Sequence, residues 1–213
     1  MREQAGPGMS ATPMNILVRA STDADVPAML AIYRHHTTRG VGDLGAYEAA
    51  PLEEEDLKRR RKNMRKRRLP HLVAEVEGAI AGYAYAVPFR KRPAYRYTLK
   101  HSIYTHHEFV NSGIGRTLLP ALMEACAAAG YRQLIGYIDA ANTASLRLHE
   151  TLGFVRVGLL PAVSFKFGEW GDSVMMQRAL GPGASSPPGP WPVAPAPAAN
   201  PAAPPRDPDD PAS

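Results

Sequence analysis

Hydrophobic positions along this chain change their spacing from stretch to stretch, and the changes mark its elements. Leu118, Leu119, Leu122, Met123, Cys126 and Ala127 recur three and four residues apart and stop at Gly130. That period predicts an amphipathic helix closed by a glycine C-cap. Just upstream, Ile103, Tyr104 and Thr105 are β-branched or aromatic and predict the end of a strand. A polar loop joins the two and closes with Gly113-Ile-Gly115.

The pattern extends in both directions. Ile16 to Arg19 predicts a first strand. Ser21-Thr-Asp-Ala-Asp25 then offers an N-cap and first-turn acids for a helix whose apolar side is Val26, Met29, Leu30 and Tyr33. Thr37 to Pro51 is irregular and suits a surface loop or a loop beside a substrate. Leu52 to Arg68 opens on Glu53, Glu54, Glu55 and Asp56 and closes on cations, an order that complements the helix dipole. Leu69-Pro70 ends that helix. Leu72 to Val76 and Ile80 to Val87 predict two strands joined at a Glu77-Gly78 hairpin turn. Tyr95 to Thr105 is the strand that feeds the glycine loop. Beyond Gly130, Leu134 to Ile138 predicts a strand, and Asn142-Thr-Ala-Ser145 caps a helix with Leu146, Leu148 and Leu152 inside, ending at Gly153. Phe154 to Gly158 is strand-like, Phe165 to Asp172 reads as a hairpin, and Val174 to Leu180 is the last strand. One domain over 15–180 is expected, between a flexible leader at 1–14 and a Pro/Ala-rich tail at 181–213 that cannot bury a core.

Composition narrows the picture. The chain has 213 residues, enough for one domain with a sizeable core. The formal charge of +5 is concentrated: Lys58 to Arg68 carries nine cations, leaving the remainder at −4. A charged helix face explains that run, and a nucleic-acid partner is not expected. The lone Cys126 lies on the apolar side of its helix and is expected as a buried small hydrophobe in a reducing, cytoplasmic setting. No run of about 18 apolar residues points to a membrane span. The histidines lack carboxylate or cysteine partners at a metal-site spacing, so no metal is expected.

The strand, glycine loop and helix start carry candidate chemistry. First-turn N–H groups have no partner inside the helix, and the dipole favours an anion there. The same residues also suit a plain tight turn into a packing helix. The six-residue glycine fingerprint of dinucleotide folds and the Gly-Lys-Ser/Thr of nucleoside triphosphatases are both missing. What remains is a different pyrophosphate carrier, of which coenzyme A is the obvious one.

The order of elements, with Ile103 to Gly130 and Asn142-Thr-Ala-Ser-Leu-Arg-Leu-His-Glu-Thr-Leu-Gly-Phe154, resembles the GCN5-related N-acetyltransferase (GNAT) superfamily. Leu72-Val-Ala-Glu-Val-Glu-Gly78, Ala81-Gly-Tyr-Ala-Tyr85, Arg92-Pro-Ala-Tyr-Arg-Tyr-Thr98, His101-Ser-Ile-Tyr104 and Phe165-Lys-Phe-Gly-Glu-Trp170 resemble its phosphinothricin and methionine sulfoximine acetyltransferase branch. The resemblance spans about Ile16 to Leu180. It implies a mixed α/β fold whose mostly antiparallel sheet splays at a cofactor cleft and is flanked by helices. It implies acetyl-CoA as co-substrate, with backbone groups of Ile103, Tyr104 and Thr105 on the pantetheine. Amides of Asn111, Ser112, Gly113, Ile114, Gly115 and Arg116 would take the pyrophosphate, and Asn142 would touch the cofactor. Phe89, Arg90, His101 and Ser102 fall where the branch binds substrate. The implied reaction is direct acetyl transfer to the primary amine of a small amino acid or analogue, in a homodimer.

Three departures bear on that reading. Val110 stands where the family usually has Gln or Arg, and Asn111-Ser112 where Arg-Gly is common. Lys100 stands where the branch places a glutamate base, and an ammonium accepts no proton unless burial or nearby cations such as Arg90 and Arg92 lower its pKa. His149 sits where many relatives have a tyrosine acid, and a merely structural helix histidine is the alternative. His101 is the other candidate base, although strand alternation turns it away from Lys100 and Ser102. Lys100 also motivates a rival reading, a CoA-binding homologue with lost or altered catalysis. The basic run motivates another, acetylation of a protein or RNA-associated partner.

Overall fold

The computed structural model describes residues 14–38 and 52–188. Thus the expected leader, the Arg39 to Pro51 part of the irregular loop and most of the tail lie outside the described residues. Seven strands form one sheet in the order β1-β2-β3-β4-β5-β7-β6. They are β1 (Ile16–Ala20), β2 (His71–Val76), β3 (Ala79–Pro88), β4 (Thr98–Thr105), β5 (Gln133–Asp139), β6 (Val155–Lys166) and β7 (Glu169–Ala179). Every neighbouring pair is antiparallel except β4 and β5. That parallel step needs a crossover, and helix α3 (Ile114–Ala128) supplies it. The expected mixed, helix-flanked sheet is therefore what the chain forms.

Local chemistry fixes the turns. Glu77 and Gly78 both take left-handed backbone (φ 50° and 83°), the primed geometry that matches strand twist, so β2 returns as β3. The outer hairpin turns the same way at Phe167-Gly168 (φ 52° and 85°). The strand after Arg92 starts later than its aromatic residues suggest: Pro93–Tyr95 form a 3₁₀ turn and β4 begins at Thr98. β6 is much longer than its Phe154 to Gly158 signal, because a register shift between Leu160 and Ser164 accommodates Pro161 on an edge strand. Past β7, residues 181–188 continue into turns: Arg132 Nη1 donates to the Gly183 carbonyl at 3.3 Å, and turns close at Gly183 and Ser185.

Alternation along the strands divides the core in two. On one face, Ala74, Ala84, Ala86, Leu99 and Leu134 meet Leu118, Leu119, Leu122 and Cys126 of α3. Those four α3 side chains are fully buried, worth about 1.5–3 kcal/mol for each leucine. Burial pushes the Cys126 thiol up to about 12, so it is inert as a nucleophile. On the other face, Val73, Tyr83 and Tyr104 meet α1 (Val26–Thr38) and Leu57 of α2 (Glu54–Lys66).

Much of the basic run in α2 is accounted for locally. Lys58 pairs with Glu54 and Glu55, and Arg59 with Asp56. Arg61 turns inward, donating to the Ser21 carbonyl at 2.9 Å and pairing with Asp23, which anchors α2 to the β1–α1 connection. Beside it, Arg19 grips both oxygens of the buried Asp25 at 2.8 Å and reaches Glu75 at 2.9 Å. The Thr22 N–H also donates to Asp25, at 2.6 Å. The Arg19 hydrogen bonds hold the Asp25 carboxyl at about 2. Its folded pKa is depressed, so its contribution is present at neutral pH and fades as pH falls from about 4 through 2. Asp25→Asn should cost about 2 kcal/mol at pH 7 by urea denaturation, and its deficit against the parent should shrink through that acid window.

Candidate active site

β4 and β5 pair over only three positions, Thr98–Gln133, Leu99–Leu134 and Lys100–Ile135, and then separate. The gap beyond is a cleft lined by His36, Ser102, Ile103, Tyr104, Gly136, Tyr137, Ile138, Asp139, Asn142, Ser145 and the two histidines His101 and His149. The inner edge of β4 is fully paired with β3. Phe89 N–H donates to the Thr98 carbonyl and His106 N–H to the Ala81 carbonyl, which sets the ladder's phase. In that phase even-numbered residues of β4 direct their N–H and C=O at β3, and odd-numbered ones direct theirs at the cleft. This corrects the expectation for Tyr104: its backbone groups belong to β3, and only its side chain is left for the cleft. Ile103 offers both backbone groups to a ligand. The Thr105 carbonyl already accepts from His36 Nε2 at 2.9 Å.

The loop after β4 makes a short 3₁₀ turn at His107–Phe109, passes Asn111 in left-handed backbone (φ 64°), and reaches Gly113 at φ 84°. Gly113 is the N-cap of α3. No L side chain tolerates that φ without strain, so glycine here shapes the turn that aims the Ile114, Gly115 and Arg116 amides outward. Such first-turn amides are the groups a diphosphate needs; the Ser112 N–H, expected among them, instead donates to the Phe109 carbonyl at 3.3 Å. Among the described residues no three metal-binding side chains converge.

The histidines fall into two groups. His101 and His149 are 7% and 1% exposed and meet Nε2 to Nε2 at 2.9 Å. His101 Nδ1 lies 3.0 Å from the Ile135 carbonyl, and His149 Nδ1 lies 2.7 Å from the Ser145 carbonyl. Burial drives both imidazoles toward the neutral form; for His101, burial and then the neighbouring His149 take the pKa down to about 3. His107 is exposed and stacks on His35 at 4.2 Å, while His106 is half-buried and accepts from the Glu108 N–H. The register along β3 and β4 is unbroken, so no bulge re-aims His101 toward Ser102.

Asn142 both caps α4 (Thr143–Thr151), accepting from the Ser145 N–H at 3.0 Å, and lines the cleft. Lys100 lies on the α1 side of β4 and is exposed, so burial does not supply what a basic amine there would need. Phe89 and Arg90 are not brought to the cleft. They are not among its lining residues: Phe89 pairs with Thr98, three residues of strand before His101, and the Arg90 guanidinium sits over the Phe89 and Tyr95 rings at 5.2 and 5.4 Å.

Sequence reasoning passed over Gly136 and His36. A Cβ on Gly136 would lie 2.9 Å from His101 Cε1 and 3.5 Å from His149 Nε2, so this glycine makes room for the histidine pair. A lone glycine inside the strand Leu134 to Ile138 was the available signal. His36 lies on a helix whose end carries no distinguishing pattern.

A sheet parted between two parallel strands, with a left-handed glycine opening a helix at the mouth, is the arrangement that the resemblance to acetyl-CoA-dependent transferases implies. The chain matches the Acetyltransferase (GNAT) family over residues 29–154, and it belongs to that family. It is 44% identical to a phosphinothricin N-acetyltransferase of Alcaligenes faecalis over 167 residues, 78% of this chain and 83% of that protein. It is 33% identical to an L-methionine sulfoximine/L-methionine sulfone acetyltransferase of Salmonella typhimurium over 174 residues, 76% of this chain and 94% of that one. The structure also resembles a phosphinothricin acetyltransferase of Sinorhizobium meliloti solved in complex with acetyl-CoA, with a TM-score of 0.78, 39% identity, and coverage of 83% and 94% of the two chains.

Gly136→Ala should push the His101 ring aside. It is expected to lower kcat/KM for acetyl transfer at least tenfold and Tm by several degrees, measured by thiol release and calorimetry.

Proposed function

We propose that this N-acetyltransferase acts on the primary amine of a small amino acid or analogue of the phosphinothricin or methionine sulfoximine type. The observation that carries the reading is the 44% identity to a phosphinothricin N-acetyltransferase over a segment that includes the parted strands and the glycine cap. Acetyl-CoA supplies an activated thioester. The Gly113 to Arg116 amides take its diphosphate, and the Ile103 backbone pairs with the pantetheine amide groups. Asn142 contacts the arm from the start of α4. At the point where β4 and β5 part, a cleft-facing backbone N–H stabilises charge developing on the carbonyl oxygen. The amine attacks directly, with no acyl-enzyme, and the His149 side of the cleft returns a proton to the departing sulfur.

The β6–β7 hairpin supports a homodimer. Val155, Val157, Leu159, Val163, Phe165 and Trp170 are all exposed on this outer hairpin of the sheet, with the Phe165 and Trp170 rings 5.2 Å apart. An edge with that much apolar surface favours pairing with a second copy. Light scattering of the purified chain reads its mass directly. No helix among the described residues is long and apolar enough to cross a membrane, and the single buried cysteine is at home in a reducing cytoplasm.

The full chain with acetyl-CoA and either L-phosphinothricin or L-methionine sulfoximine should release free thiol in proportion to protein added. Intact acetyl-CoA binding with no release across an amine panel would instead favour the CoA-binding homologue that Lys100 suggests. Gly113→Val should weaken acetyl-CoA binding at least tenfold by calorimetry, since a β-branched residue cannot hold that φ.

A further inference from the structure

The hydrogen bonds around the two buried histidines need more protons than two neutral rings carry. A backbone carbonyl only accepts, so His101 Nδ1, 3.0 Å from the Ile135 oxygen, bears a hydrogen. By the same rule His149 Nδ1, 2.7 Å from the Ser145 oxygen, bears another. The Nε2 atoms face each other at 2.9 Å, a hydrogen-bond distance that two bare lone pairs do not hold. Three contacts require three ring protons, and two neutral imidazoles supply two.

We infer that His101 and His149 form one acid–base unit that holds a single excess proton between their Nε2 atoms. The inference about its role rests on the acetyl-transfer reading; the proton count does not. Both rings line the cleft, and His149 carries the contact to α4, with the half-buried Ser145 Oγ 3.5 Å from its Nδ1. His101 acts through it, as a positioning residue that also stores charge.

The surroundings allow such a unit. Gly136 removes the Cβ that would separate the rings from β5. Phe154 covers both rings, at 5.4 and 5.0 Å. The titratable groups facing the pair across the cleft are His36 from α1, Tyr104 from β4, and Tyr137 and Asp139 from β5; α4 adds only the Ser145 hydroxyl. Asp139 is the one carboxylate among these, and its Oδ1 accepts from the Ala141 N–H at 2.9 Å. Burial, and for His101 the neighbouring ring, favour two neutral imidazoles; the three contacts, each of which needs a ring proton, oppose that and are the ground of the inference.

In the reaction the bond from nitrogen to the acetyl carbon forms and the carbon–sulfur bond breaks. The unit gives its excess proton to the thiolate through Ser145 Oγ and becomes neutral. The substrate, which enters as an ammonium, gives up two protons. One refills the pair and the other goes to water, so the unit is restored and one proton is released per turnover.

Nitrogen-15 NMR of histidine-labelled full-length protein tests the count without any substrate. Three ring N–H groups, and a single transition shared by both residues between about pH 5 and 8, are expected. Two separate neutral rings with two N–H groups across that range would overturn the inference. His101→Gln should leave His149 titrating alone, lower kcat at least tenfold and leave the KM for acetyl-CoA within about threefold. A parental pH–rate profile in that variant, or in His101→Phe should His101→Gln fail to fold, would equally overturn it. Failure of acetyl transfer itself would appear as absent thiol release in the parent protein, with the NMR count unaffected.

Discussion

The separation of β4 from β5 is the constraint on which the rest of this structure depends. Two parallel strands that stayed paired would satisfy each other's backbone and leave no room for a ligand. Here the ladder runs for three residue pairs and stops at Lys100–Ile135. The next residue of β4 is His101, and its ring Nδ1 also lies at hydrogen-bond distance, 3.0 Å, from the Ile135 carbonyl. A side chain thus engages the last carbonyl of the ladder at the point where the strands part. The same ring reaches His149 on α4, so the histidine pair sits where the sheet opens.

Helix α3 serves the cleft from its other side. Its buried leucines fix it across β1 to β4, and that fixed position determines where its first-turn amides point. The candidate anion site is therefore held by hydrophobic packing a turn or more away, and Gly113 only has to deliver the chain at the correct angle. The Arg19, Asp25 and Arg61 contacts do the equivalent for α1 and α2, tying both helices to β1 so that His36 can reach the Thr105 carbonyl at the cleft's mouth.

Legibility in the sequence followed the range of the interaction. Local signals were reliable: the Glu77-Gly78 turn, the Asn142 cap and the glycine before α3 all act within a few residues and stand where the pattern placed them. The parallel step was less visible, because pairing of β4 with β5 is set by a crossover of nearly thirty residues. The length of β6 was hidden by Pro161, which argues against a strand until a bulge at the edge accommodates it. Residues from distant segments were hardest. Nothing local says that Gly136 yields space to His101, or that even-numbered backbone groups of β4 are already committed to β3.

That parity has a chemical consequence. Side chains of β4 alternate across the sheet, so Lys100, Ser102 and Tyr104 stand on the α1 face while Leu99, His101 and Ile103 stand on the face of α3 and α4. A ligand lying in the gap between β4 and β5 is reached from both faces at once. The face with His101 and His149 is dry and can keep a proton out of exchange with bulk water; the face with Lys100 is open at that residue. An amino-acid amine needs solvent or a base to lose its protons, and a departing thiolate needs a guarded acid. One strand therefore places the buried histidine pair and the exposed Lys100 on opposite faces by the simplest rule of β-structure, with neighbouring residues facing opposite ways. On this arrangement a lysine at 100 is compatible with turnover, because the proton that sulfur needs is kept on the other side of the sheet.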